Sequence, residues 1–459
     1  MSDQHQQIKK KYGLVRGLGL FEAIAVNMTN MVGMGPFITM PLIIAAMGGP
    51  QCMLGWLAGT VLSICDGMVW SELATAMPGS GGTYLFLKES FKTSRVGMLL
   101  PFLFIWQFIV SGPLEVGSCY IGFVQYMAYF FPAWGPWQTR LLTVALGVLA
   151  IVLLYRQIHS IGRLMLLLWA GMLLTVGAVI GSGVIHMAHF GPGPALDFPP
   201  GALSFSMGFA LGLGRAMLIA MFDFLGYYSV CYVGGEVRNP ERVLPRAIFY
   251  SAIGVALIYS VMNFSIMAVV PWREAVQSKF IVSEYMEKLY GTRAAGVMTI
   301  LVLWTAFAAA VPVLLGYSRI PYAAALDGHF FKPFARLNAK QFPYVSLLVM
   351  GILSIMAALV NLEWVISAML TGRILIQFIA QIFAVHYLRK YRTDIERPFK
   401  GWLYPVPNAI ALLGWTYIFV TSGWGFIVFG VGTLGAGVVA FWLWRRGAGL
   451  PAFTAPEEA

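Results

Sequence analysis

The sequence predicts an all-α polytopic membrane protein with about twelve transmembrane helices. Three observations predict it. Of 459 residues, 59% are hydrophobic and only 11% charged, and the mean hydropathy is +0.76. Soluble domains carry about 25% charged residues. The apolar residues fall in segments of roughly 20, the length that a ~30 Å hydrocarbon core requires. The basic residues collect in alternate connecting segments, as the positive-inside rule expects. An outer-membrane barrel would show short segments of alternating polarity instead.

Taken in order, the segments are approximately 18–46, 50–77, 96–131, 139–155, 161–187, 204–235, 244–271, 294–324, 343–360, 364–388, 404–421 and 424–444. A polar, basic N-terminal tail (1–17) leads straight into the first span and is read as cytoplasmic, with no cleavable signal. With this tail inside, the inner segments hold 23 of the 30 Lys and Arg and the outer segments five; Arg215 and Arg373 lie within spans. Moving the count by one span scatters the bias. Both termini, including the 445–459 tail, are therefore expected on the cytoplasmic side of the cell membrane. The net charge of +11 belongs to these loops and to the lipid bilayer, and no nucleic acid partner is expected. The four cysteines lie in or beside apolar runs and do not form a disulfide framework or zinc pattern. The outer segment 278–290 has apolar residues at helical spacing and predicts a short surface helix. It either caps an outer vestibule or covers the rim of the bundle.

Span 1 contains the stretch Asn30, Met31, Val32, Gly33, Met34, Gly35, Pro36, Phe37. Two glycines and a proline in eight residues weaken the helix. In lipid such a break is tolerated only where its freed backbone groups line a cavity or meet an ion or substrate. Span 6 has a second break, around Phe222, Asp223, Phe224, Leu225, Gly226 and Tyr227. The two spans are five apart, so they cross the membrane in opposite directions. Interrupted segments at matching places in two halves point to an inverted-repeat transporter. The repeats would be 18–190 (spans 1–5) and 204–390 (spans 6–10), with spans 11–12 (404–444) added.

Four further stretches accompany these breaks in order. WSELATAMPGSGGTY (Trp70–Tyr84) ends span 2, EVRNPERVLPRAI (Glu236–Ile248) follows span 6, the Tyr317–Tyr344 stretch ends span 8, and RPFKGWLYPVP (Arg397–Pro407) follows span 10. On these stretches and the span 1 break, the chain resembles the amino acid–polyamine–organocation superfamily, amino acid permease type. The resemblance implies a LeuT-like core of ten helices in two inverted five-helix repeats, broken helices 1 and 6, and alternating access around a central site. It also implies that the breaks bind the α-amino and α-carboxylate groups of an amino acid. The physical chemistry agrees: a carboxylate suits freed amides at a helix N-terminus near Gly35 to Phe37. An ammonium suits carbonyls near Met31, Val32 and Phe222 to Leu225. Phe222 falls where some members place an aromatic lid.

Pro36 and Asp223 depart from the commonest pattern and resemble the polyamine branch. Asp223 either binds a substrate ammonium, carries a coupled proton or makes a structural hydrogen bond. Arg215, about 12 Å away along a helix, is too far to pair with it. Glu115 is a second coupling candidate, and Asp66 reads as an interhelical hydrogen-bonding group. Arg373 either pairs with a carboxylate or reaches polar space. Glu236 and Arg238 are candidates for a cytoplasmic gate. The lysine of some proton-coupled relatives is replaced at the matching position by Met172, and only Thr305 offers a hydroxyl where sodium sites usually draw one from span 8. Expected partners are therefore an amino acid, or alternatively a polyamine or cationic amino acid held by Asp223, together with protons.

No enzyme, metal or cofactor is expected. His186 and His189 have a metal-like spacing, but no acid follows until Asp197. No nucleophile–base pair stands mid-membrane.

Overall fold

A computed structural model describes residues 17–79, 81–155, 158–338 and 343–447, with backbone alone at 158–169. The expected tails up to residue 16 and from residue 448 lie outside the described residues. Among the described residues the chain is helical, with no strand and one isolated parallel bridge between Leu18 and Val237.

The helices follow the predicted segments. The first segment holds α1 (Leu20–Met31) and α2 (Gly35–Met47), bent by 54° at the break between them. Then come α3 (Met53–Ala76), a short α4 (Thr83–Ser90), α5 (Leu99–Met127), α6 (Pro136–Leu154) and α7 (Ile158–Phe190). The second half holds α8 (Met207–Phe224), α9 (Pro240–Val269), the surface helix α10 (Ile281–Tyr290) and α11 (Thr292–Leu326). It continues with α12 (Tyr344–Ala357), α13 (Leu362–Arg373) and α14 (Ala380–Tyr391). The chain closes with α15 (Val406–Thr421) and α16 (Trp424–Gly447).

Among the described residues nine helices are long and apolar enough to cross a membrane, ten with the bent α1–α2 pair as one span. The segments expected at 343–360 and 404–421 hold helices of only 14 and 16 residues. That is short of the roughly 20 that a bilayer core asks for.

The sixth segment departs from its expected extent. Its α-helix ends at Phe224 and is followed by 3-10 turns over Ser229–Tyr232 and Gly234–Glu236. The reason is local. Gly226 takes φ +117°, a conformation that side chains resist. The tyrosines that follow prefer aromatic partners to a helical register: Tyr228 stacks on Trp70 at 4.2 Å. Pro312 and Pro321 lie inside α11, which runs on through both.

Packing brings the breaks to the centre. α2 lies against α8, α9 against α1, α3 and α7, and α5 against α11, α12, α13 and α16. The surface helix α10 buries Ile281, Val282, Tyr285 and Met286 and packs on α2 and α11. Tyr126 ties it in, donating to the Phe37 carbonyl at 2.8 Å and accepting from the Val282 amide at 3.4 Å.

Candidate substrate site

The two breaks pack directly on one another. A Cβ on Gly226 would stand 2.8 Å from Asn30 Cβ, and one on Gly35 would stand 2.0 Å from Asp223 Oδ1. Glycine at these positions is what lets the unwound segments meet. Asn27, one turn before the first break, locks the pair. Its Nδ2 donates to the Tyr227 carbonyl at 2.6 Å and to Ser251 at 3.1 Å, and its Oδ1 accepts from the Val230 amide at 2.8 Å. Tyr259 bridges the other side, donating to the Met31 carbonyl, with the Asp223 carbonyl at 3.5 Å. Both side chains are fully buried. Polar groups so placed in an apolar bundle are costly unless bonded, which is why they sit where backbone is unwound.

The expected site residues divide into two sets. Asn30 and Gly226 line a central cavity of about 410 Å³. Phe222 and Asp223 instead lie behind the break, against α2. The Phe222 ring stands 3.5 Å from where a Gly35 Cβ would be. Asp223 is buried, its Oδ2 accepting from Thr39 at 2.7 Å and its Oδ1 without a hydrogen-bond partner among the described residues. Its carboxylate thus rests beside the first turn of α2, where the helix dipole is positive. Met31, Val32, Met34, Gly35, Pro36, Phe37, Phe224, Leu225 and Tyr227 are also buried at the breaks. The Met31 carbonyl, expected to be free for an ammonium, already accepts from Tyr259 and from the Gly33 amide.

Farther along the cavity wall stand Phe108 and Glu115 from α5, Tyr317 from α11, and Arg373 and Gln377. Arg373 both pairs and reaches polar space, so the two readings of it are joined. Its Nη1 stands 2.7 Å from Glu115 Oε2, which also accepts from the Tyr317 hydroxyl at 2.6 Å. Arg373 ends α13, and a π-helical turn follows over Ile374–Ile379. Such wide turns are rare and recur at functional sites.

At the far end the cavity is bordered by Tyr84, Glu236 and Arg319. Glu236 and Arg238 also bond through their backbone. The Glu236 carbonyl accepts from the Gly17 and Leu18 amides at 2.9 and 3.0 Å, and the Arg238 amide donates to Leu18 at 2.8 Å. The end of span 6 is thereby laced to the start of span 1.

Asp66 bonds between helices as read: it accepts from Tyr227 and from Trp415 Nε1 at 3.1 Å. Met172 is buried, and the Thr305 hydroxyl turns to Thr175 at 3.1 Å and the Leu301 carbonyl at 2.9 Å. Arg215 is exposed on α8 beside a separate cavity of about 210 Å³ that Glu363 also lines. Sequence reasoning passed over Asn27, Thr39, Tyr259 and Gln377. Each is a polar residue inside an apolar span, the one signal that singles out such groups.

The family model of amino acid permeases matches residues 18–444. The chain belongs to the amino acid permease family. The match covers all twelve predicted segments, as the ordered motifs implied. Among this permease's relatives is the serine/threonine exchanger SteT of Bacillus subtilis, 26% identical over 88% of this chain and 90% of its own length. The branched-chain amino acid permease BcaP of Bacillus subtilis is 25% identical over 94% of both chains. The human large neutral amino acids transporter small subunit 2 is 27% identical over 91% of this chain and 78% of its own. The family is one of transporters, not of enzymes, and the apolar helices make the protein a multi-pass membrane protein.

Proposed function

We propose that this permease is a secondary active transporter that moves amino acids across the cytoplasmic membrane by alternating access. The observation that carries this reading is the central cavity of about 410 Å³, which ends on the two interlocked breaks at Asn30 and Gly226. Repeats 18–190 and 204–390 would rock about these breaks, with both termini cytoplasmic. In that orientation the cavity end at Tyr84, Glu236 and Arg319 faces the cytoplasm. The opposite side is closed by α2 on α8, with Phe222 as the lid and α10 as the outer cap. This is an inward-facing form. Substrate backbone groups would meet the unwound backbone at Asn30 and Gly226, where the two breaks line the cavity. The named substrates of the relatives support a neutral amino acid.

The two coupling candidates separate. Glu115 is neutralised by Arg373 at 2.7 Å. Asp223 is buried with a single hydroxyl donor and no basic partner among the described residues. A buried carboxylate so placed suits proton exchange better than a paired one. It also lies outside the cavity lining, which supports a proton in preference to a polyamine or cationic substrate.

Uptake of labelled amino acids and polyamines into proteoliposomes tests this. Uptake driven by an inward proton gradient marks symport, and uptake that needs internal substrate marks exchange. Uptake of polyamines alone would overturn the amino acid reading.

A further inference from the structure

The central cavity has two regions with different chemistry. One is the unwound backbone at Asn30 and Gly226. The other is a clamped guanidinium on its wall. Arg373 is fully buried. Its Nε donates to Ser111 at 3.1 Å, and Ser111 in turn donates to Gln107 Oε1 at 3.0 Å. Its Nη1 pairs with Glu115, and the rings of Phe108 and Tyr317 each stand 5.7 Å from its central carbon. These contacts fix the guanidinium plane and leave Nη2 without a hydrogen-bond partner among the described residues. Four residues on, across the wide turn, Gln377 Oε1 is likewise buried and without a partner there. Both residues line the cavity. Residues four apart share a helix face. A buried donor and a buried acceptor left unpaired are costly to keep, and native proteins keep them where a ligand completes them.

We infer that Arg373 and Gln377 form a side-chain subsite selecting amino acids whose side chains are neutral and hydrogen-bonding, either carboxamide or hydroxyl. This rests on the amino acid reading above. A substrate held by its backbone groups at the breaks directs its side chain along the cavity toward this wall. The wall offers a donor at Nη2 and an acceptor at Gln377 Oε1, which match a group that both accepts and donates. The paired charges of Glu115 and Arg373 cancel, so a charged side chain of either sign meets a like charge as well as an opposite one. An apolar side chain of the same shape leaves both buried groups unpaired. Sites built to hydrogen-bond a substrate group discriminate strongly against the analogue that lacks it.

The test is counterflow in proteoliposomes with pairs of similar shape: threonine against valine, and asparagine against leucine. The polar member of each pair should compete about 10- to 100-fold better. Gln377→Met removes the acceptor without touching the Glu115 pair and should bring the ratio toward one. Arg373→Lys keeps the charge beside Glu115, removes the fork, and should do the same if it folds. Equal competition within both pairs in the unaltered protein overturns the inference while amino acid transport stands. So does an unchanged ratio in Gln377→Met. Failure to exchange any amino acid overturns both.

Discussion

The Thr39 hydroxyl donates to Asp223 Oδ2 at 2.7 Å, joining α2 to α8 across the two breaks. It is the carboxylate's one side-chain donor among the described residues. Asp223→Asn keeps the shape and removes the exchangeable proton. Uptake driven by a proton gradient should fall at least about tenfold, while counterflow with substrate on both sides persists. Thr39→Val should leave the carboxylate unbonded and cost about 1–3 kcal/mol, read as a lower Tm in detergent. Full gradient-driven uptake by Asp223→Asn would remove Asp223 from coupling.

Glycine substitutions at the breaks should not be equivalent. A methyl on Gly35 collides with Asp223 Oδ1 at 2.0 Å, whereas one on Gly33 meets Ala309 Cβ at 3.4 Å. Gly226 has both a close neighbour, Asn30 at 2.8 Å, and φ +117°. Gly35→Ala and Gly226→Ala should therefore lose most transport, and Gly33→Ala should keep more than about a third of it, since the buried Asp223 carboxylate at one position and the Asn30–Met31 backbone at the other leave no slack for an added methyl. Initial rates normalised to protein in the membrane check this ranking.

The sequence announced the first break because Gly33, Gly35 and Pro36 each act locally, and helix breaking is a local property. It announced the second only in part. Gly226 marked where the helix stops, but nothing local said that the chain would continue in 3-10 turns as far as Glu236. That outcome depends on Trp70 from α3 stacking on Tyr228, a long-range contact. The site shows the same division. Asp223 and Glu115 stood out as charges in apolar spans. Their partners did not: Thr39 lies 184 residues before Asp223, and Arg373 lies 258 residues after Glu115. Which acid is paired and which is not is decided by packing alone.

Glu72, near the C-terminal end of α3, is almost fully buried and holds the loop after α14 in place. It accepts from Arg389 Nε at 2.8 Å and Nη2 at 2.6 Å, and from the Gly401 amide at 3.1 Å. Arg397 stands 3.8 Å away. Removing one partner of a buried pair strands the other charge. Glu72→Gln should lower stability by about 3 kcal/mol, read by thermal unfolding in detergent, whereas Arg397→Gln should change it by less than about 1 kcal/mol. Equal losses in the two variants would show that the Glu72–Arg389 geometry carries no special weight.

The contact beside the cavity mouth should be sensitive to acid. Tyr84 borders the cavity, and its hydroxyl donates to Asp327 Oδ2 at 3.0 Å, so that His329 Nδ1, 2.8 Å away, donates to it. Lys88 pairs with Asp327 at 2.7 Å. Burial and the Lys88 charge push the His329 imidazole down from 6.5 to about 4, against the opposing pull of Asp327. Burial alone would raise the Asp327 carboxyl, but the Lys88 and Tyr84 hydrogen bonds and the Lys88 charge outweigh it and hold it below its ordinary value. Asp327 therefore stays charged throughout the range in which His329 responds. The folded protein binds the histidine proton less tightly than the unfolded chain does. Neutral His329 contributes its stability in full above pH 6.5 and loses it as pH falls from 6.5 toward 4. Thermal stability should thus decline across that window. His329→Gln, which can still bond Tyr84 but cannot titrate, should flatten the decline. An equally steep decline in the variant would place the acid-sensitive group elsewhere in the protein.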